Sequence, residues 1–357
     1  MNPETQTENQ GFETPQISSK NKGRLKIVGI VLTLAGVSLF SYFVYTVGFS
    51  EILNNVERFG IVGFAVILGL YFVRICVRAG AWSLSVHEPY TLKVRHAAKA
   101  VIIGEALSSM IPLGILISGT AKAVAVRNRL PLVVGLSSVA TENLFYSFVT
   151  SIFLILGSFT FVRSFKLDDG WILTIDILIG VICVVVLFLL TLVIRQWHFA
   201  SETCEWIYRK GYLKGLLESG RMQVRLFENL IYGFYRRYPR RFLPICLLEA
   251  VFHLLGILEA WFILSRISEV MPTLTTAFLL ESVSRLITIV FKLVPFLIGV
   301  DEAGAQFVAE KVAIGAAVGV TLAIIRKGRI LFWTAIGILL LINRGLSVRQ
   351  FISSEES

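Results

Sequence analysis

The feature that most constrains this chain is its series of long apolar runs. Residues 26–47, KIVGIVLTLAGVSLFSYFVYTV, are the first, and runs at 59–86, 131–162, 171–194 and 242–264 follow. A helix needs about 20 apolar residues to cross the hydrocarbon of a bilayer, whereas a tilted barrel strand needs about 9–11. Backbone N–H and C=O groups find no water there, so only helices and closed barrels cross it. Runs this long select helices. The chain is 55% hydrophobic and 16% charged, against about 45–50% and about 25% in soluble domains. That surplus of apolar surface has no place in water. The expected fold is all-α, a polytopic transmembrane helical bundle.

The formal charge of +10 is spread through short loops between the runs, the bias of cytoplasmic loops. It points to anionic lipid head groups and the membrane surface, with no nucleic acid partner. Residues 1–24 are polar and read as a disordered cytoplasmic tail. The first run lacks a small-residue cleavage site and reads as a retained anchor. The membrane domain spans 25–345, and 346–357 is a polar tail. Within the domain, 195–241 holds ten Lys/Arg against four Asp/Glu. Trp206, Leu213, Leu217, Val224, Phe227 and Ile231 recur there at helical spacing. The block reads as cytoplasmic interfacial helices or as a hairpin packed on the domain. The localisation expected is the plasma membrane, multi-pass, with the N-terminus cytoplasmic. The four cysteines are scattered without pairing and read as free thiols.

Two apolar segments break the pattern of a simple span. GEALSSMIPLGILISG, 104–119, carries Glu105, Pro112 and the small positions Ser108, Ser109, Gly114 and Ser118. Its flanks are basic on both sides, with Lys93, Arg95 and Lys99 before it and Lys122, Arg127 and Arg129 after it. If both flanks are cytoplasmic, 100–119 is a re-entrant hairpin with Pro112 and Gly114 at its tip. Irregular backbone at that depth requires burial in protein or a wet cavity. Segment 273–298 is the second, with Glu281, Arg285 and Lys292 inside it and Pro295 ending it before Gly299, Asp301 and Glu302. Runs 303–325 and 330–343 complete the chain, separated by the basic RKGR at 326–329. The layout therefore repeats. Two broken or re-entrant segments entered from opposite sides form an inverted repeat, which places a transport site near the midplane.

Ionisable residues inside the membrane mark function or buried pairing. Arg74 and Arg78 are four apart, on one helix face. Either they clamp a phosphate with paired guanidinium hydrogen bonds, or they pair with Glu105 or Glu142. Glu105, Glu142 and Glu249 read chiefly as salt-bridge partners, with a proton relay as the rarer alternative. Glu281 and Arg285 are an i, i+4 pair. Lys292, one heptad beyond Arg285 on a continuous helix, lacks such a local partner. His253 reads as packed or hydrogen-bonded. No metal-ligand cluster, nucleophile elbow, Walker loop or dinucleotide fingerprint occurs, so neither a metal nor a cofactor is expected.

YFVRICVRAGAW at 71–82, the Pro112-Leu-Gly turn followed by Lys122, TENLF around Glu142, and VPFLIGVDEAGAQF at 294–307 followed by Arg326 occur in this order. Together they resemble the transmembrane, flippase-like domain of lysylphosphatidylglycerol synthases, over roughly residues 25–345. The resemblance implies a helical domain that handles or flips lipid-linked head groups, often aminoacylated or glycosylated. Two departures stand out. Glu142-Asn143 replaces the usual Glu-Arg, and LGILISG replaces the basic-Gly-Glu turn after the first kinked proline. Full-length synthases append a soluble aminoacyl-transferase domain. This chain ends about a dozen residues after its last apolar run, so it is expected not to aminoacylate and not to be an enzyme.

The candidate head-group residues are Arg74, Arg78, Glu105, Pro112, Gly114, Lys122 and Glu142 from the first half. Arg285, Lys292, Pro295, Gly299, Glu302 and Arg326 come from the second. The leading function is transport of an anionic phospholipid or polyprenyl-linked lipid. The alternative is a non-transporting accessory or scaffold protein for an envelope glycosyltransferase, with a homo-oligomer or an envelope enzyme as partner. An enzyme acting on polyprenyl phosphate is disfavoured, because no clustered acid or metal motif is present.

Overall fold

The computed structural model describes residues 37–42, 44–46, 48–110, 114–165, 169–195, 198–210, 224–225, 228–229, 231–291 and 294–343. The expected tails at 1–24 and 346–357 lie outside these residues, as do Pro112, Lys292, Leu213, Leu217 and Phe227. The described elements are helical. Three of the helices are long and apolar enough to cross a membrane: Phe49–Leu84, Leu132–Ser164 and Pro239–Ile267.

The elements fall into two sets with the same order of lengths. The first set is α1 (Phe49–Leu84), α2 (Val94–Met110), α3 (Gly114–Ala125) and α4 (Leu132–Ser164). Helices α5 (Asp169–Arg195) and α6 (Phe199–Arg209) intervene. The second set is α7 (Pro239–Ile267), α8 (Leu274–Val290), α9 (Val300–Lys311) and α10 (Ala316–Ile342). In each set a long helix is followed by helices of 17 and 12 residues and then a second long helix. The packing repeats as well. Helix α4 packs on α7 and α8 as α10 packs on α1 and α2. The long helices α1 and α7 face each other directly.

The two sets run in opposite senses. Phe59 meets Phe262, Arg74 meets Glu259, and Arg241 donates to the Val86 carbonyl at 2.9 Å. Rising numbers on α1 therefore meet falling numbers on α7, which makes them antiparallel. This is the inverted repeat expected from the layout. Small residues set the close crossings, as they do between membrane helices. The fourth residue of α4 is Gly135, packed on Ala123, and the fourth of α10 is Gly319, packed on the Ala305 carbonyl.

The 100–119 segment is a helical hairpin of α2 against α3, as expected. Two other readings need correction. The basic RKGR at 326–329 does not separate two runs. It lies within the single helix α10, and Arg326 and Arg329 are buried because α7 and α8 supply carboxylates to them. The run assigned to 303–325 breaks instead after Lys311, where Ala313 and Gly315 take positive φ (59° and 94°) between α9 and α10. The reading of Lys292 lies outside the described residues, and α8, which carries Arg285, ends at Val290.

Helix α6 carries the exposed Trp206, while Ile231 and Phe234 are buried. Phe234 joins Ala81, Phe145 and Ile245 in one core cluster. The described residues of the basic block thus include an exposed position on α6 and residues packed on the domain.

Candidate functional site

Two helix breaks meet at one cavity. Its walls include Ser108 and Ser109 at the end of α2, and Val294, Phe296 and Leu297 between α8 and α9. Phe296 and Leu297 both have positive φ (52° and 53°), a costly state for bulky residues that persists only where the surroundings impose it. Here the surroundings are specific. Gly299 N–H donates to Glu302 Oε2 at 2.8 Å, Glu302 Oε1 takes Lys327 Nζ at 2.6 Å, and Lys327 reaches the Leu297 carbonyl at 3.4 Å. Gly299 itself sits at φ 85°, which favours glycine. Thus Glu302 and Gly299 hold the break in shape without lining the cavity.

The cavity encloses about 210 Å³, enough for several waters at about 30 Å³ each. Its floor is a buried network. Glu259 pairs with Arg74 at 3.2 Å, with Arg326 at 3.6 Å and, most closely, with Arg329. Glu281 pairs with Arg326 at 2.6 Å, Arg285 at 2.9 Å and Arg74 at 3.4 Å. Four arginines share two carboxylates, and the buried Asp301 in the cavity wall is a third acid, which leaves a formal excess of one positive charge. Aromatic faces cover them, Phe252 under Arg74 at 4.3 Å and Tyr71 under Arg329 at 4.1 Å. Even so, the buried Nε atoms of Arg74, Arg326 and Arg329 have no hydrogen-bond partner among the described residues.

A second cluster stands one helical turn along α1. Arg78 Nε donates to Glu142 Oε1 at 2.9 Å and Arg78 lies 3.9 Å from Glu105, whose other oxygen accepts from Tyr71 at 2.9 Å. Lys122 Nζ is 4.0 Å from Glu142 Oε2. Arg78, Glu105 and Arg285 keep 14%, 23% and 18% of their side-chain surface accessible, against 1% for Arg74. The cavity therefore has an accessible mouth and a buried floor.

The fold gathers Arg74, Arg78, Glu105, Arg285 and Arg326 around the cavity. Lys122 and Glu142 lie behind Arg78, and Gly114 starts α3. Pro295 opens the short 3₁₀ turn beside the cavity. Arg74 pairs with neither Glu105 nor Glu142, contrary to the structural alternative drawn for it. The partners are Glu259 and Glu281, because the antiparallel contact of α1 with α7 brings Glu259 to that level. Glu281 is also more than an i, i+4 partner for Arg285, since it holds α1 and α10 too. Glu249 forms no salt bridge among the described residues, and both of its oxygens are buried without a hydrogen-bond partner. His253 is packed as expected, 3.0 Å from the Thr150 hydroxyl and stacked on Phe153.

Sequence reasoning missed Glu259, Arg329 and Tyr71. A carboxylate in mid-run was the available signal for Glu259, the same one that marked Glu105. Arg329 was hidden by its place in an apparent basic loop.

Comparison with known proteins adds one finding. A family model described as Lysylphosphatidylglycerol synthase TM region matches residues 26–337. No curated protein and no solved structure matches the chain.

Proposed function

This chain belongs to the family of the lysylphosphatidylglycerol synthase TM region, and on that premise we propose that it binds an anionic lipid head group in the arginine-lined cavity and carries it across the membrane. One observation carries the reading. Four arginines face three buried acids at the cavity, Glu259, Glu281 and Asp301, and the Nε atoms of Arg74, Arg326 and Arg329 have no hydrogen-bond partner among the described residues. Uncompensated charge away from water is strongly unfavourable. A phosphate at the cavity reduces the formal excess and accepts hydrogen bonds from planar guanidinium groups. The inverted repeat supports movement of that group, since two breaks entered from opposite sides give one site two exits. A scaffold has no use for such a cavity.

The same geometry supports an orientation. The end of α1, the start of α7 and the basic block 236–241 share one end of the bundle. Helix α10 runs parallel to α1, with Thr321 against Asn55, Gly328 against Phe64 and Trp333 against Phe72, and so ends there as well. By the positive-inside bias this end is cytoplasmic, in a multi-pass protein of the plasma membrane with the N-terminus inside. The reading contains no chemical step and needs no cofactor. Mass spectrometry of lipid that co-purifies with the protein tests it. Enrichment of an anionic phospholipid or polyprenyl phosphate over the bulk membrane is expected, reduced in Arg285→Met. A profile matching the bulk membrane would remove the proposal.

A further inference from the structure

Glu249 is a buried side chain that the head-group reading does not use. It is 0% exposed, does not line the cavity, and neither oxygen has a hydrogen-bond partner among the described residues. Every other described carboxylate buried within the bundle near it is held by a base: Glu142 by Arg78, Glu259 and Glu281 by the arginine network. A carboxylate without a partner is unstable in such a place, whereas a carboxyl group that carries a proton is not.

The charges around Glu249 say what its proton responds to. Arg78 of α1, Lys122 of α3 and Glu142 of α4 act on it, and Cys246 lies on its own helix. His253 is one turn further along α7. The charged groups of α8 and α10, namely Glu281, Arg285, Arg326 and Arg329, gather instead around Glu259, ten residues and about 15 Å along α7. Of the bases acting on Glu249, Arg78 alone also lines the cavity. Moreover Glu142 Oε2, beside Lys122, has no hydrogen-bond partner either.

We infer that Glu249 is a proton-binding site coupled to the cavity through Arg78, so that an anionic head group and a proton are taken up together. This inference rests on the head-group reading above. An anion that draws on Arg78 weakens the positive potential at Glu249 and Glu142. Weaker positive potential favours a proton on that carboxylate pair. By reciprocity a proton there favours the anion, so the lipid binds more tightly as pH falls. No atom is oxidised or reduced, and one proton moves from solvent to a carboxylate oxygen.

The test is titration of the purified full chain with short-chain phosphatidylglycerol between pH 5.5 and 8.5. The phosphodiester of that lipid does not titrate in this range, so any pH dependence belongs to the protein. We expect the parent to bind up to about tenfold more tightly per unit fall in pH, the slope for one linked proton. Calorimetry in buffers of different ionisation enthalpy should count that proton. Glu249→Gln should bind with a flat pH profile and take up no proton. Infrared difference spectra of the parent alone should show a carboxylic acid band that grows when lipid is added, which covers a variant that fails to fold. A parent that binds with no pH dependence, a Glu249→Gln profile equal to the parent's, or dependence on sodium instead of pH would each overturn the inference while leaving lipid binding intact. Failure of the parent to bind phosphatidylglycerol or a polyprenyl phosphate removes the head-group reading, and this inference with it.

Discussion

The two repeats share a backbone plan but carry opposite charges at matched positions. The eleventh residue of α4 is Glu142 and the eleventh of α10 is Arg326. The twelfth residue of α2 is Glu105 and the twelfth of α8 is Arg285. The first repeat thus offers carboxylates to Arg78, and the second offers arginines to Glu259 and Glu281. The cavity is lined by helices of both repeats, and the charges at these matched positions differ in sign. Helix packing tolerates either sign at these positions. The chemistry does not.

The largest effect is expected at the shared carboxylate of the second repeat. Glu281→Gln leaves Arg74, Arg285 and Arg326 without the anion they share. Breaking a buried pair by removing one partner costs about 3–5 kcal/mol. Thermal melting of the purified protein should show that loss. Glu105→Gln, at the accessible mouth, should cost less than about 1 kcal/mol. Equal losses at the two sites would erase the distinction between floor and mouth.

An exchange across the repeats tests whether the charges are interchangeable. Glu142→Arg sets a third cation beside Arg78 and Lys122, and Arg326→Glu sets a third carboxylate beside Glu259 and Glu281. Each single change should abolish lipid binding. The double variant should not recover it, with coupling below about 0.5 kcal/mol, as for sites without shared partners. Recovery would mean that only the balance of charge matters and not its placement.

Glycine substitutions probe the backbone side of the comparison. A Cβ on Gly319 would overlap the Ala305 carbonyl, so Gly319→Ala should destabilise by about 1–3 kcal/mol. At Gly135 the added carbon would come no nearer than 3.2 Å, to the Ala123 Cβ, and a loss under about 1 kcal/mol is expected. Equal losses in the melting assay would show that both crossings are equally tight.

The smallest stability effect belongs to Arg285→Met. Arg285 is partly accessible, and Glu281 keeps Arg74 and Arg326 without it. Lipid affinity should fall about tenfold, roughly 1.4 kcal/mol, with little change in melting temperature. A large melting shift would make Arg285 structural rather than a head-group ligand.

Much of this was legible in the sequence. Pro112 with Gly114, and Pro295 with Gly299, marked the two breaks through backbone chemistry that is local to each. Arg74, Arg78 and Arg285 stood out because each sits in a run otherwise fit for lipid. Arg326 and Arg329 were harder to read. A basic tetrapeptide between apolar stretches looks like a loop until carboxylates from other helices are seen to receive it.

The sequence by itself determined that the chain crosses a membrane as helices, that two apolar segments are interrupted, and that the layout repeats. Those properties follow from local solvation, since run length and the needs of each backbone group suffice to specify them. Only the tertiary structure decided which charges meet. Arg74 finds Glu259 and Glu281 across 185 and 207 residues, and no local pattern encodes such distances. Helix rotation and the antiparallel contact of α1 with α7 set those pairs. The same contacts left Glu249 buried without a salt bridge among the described residues.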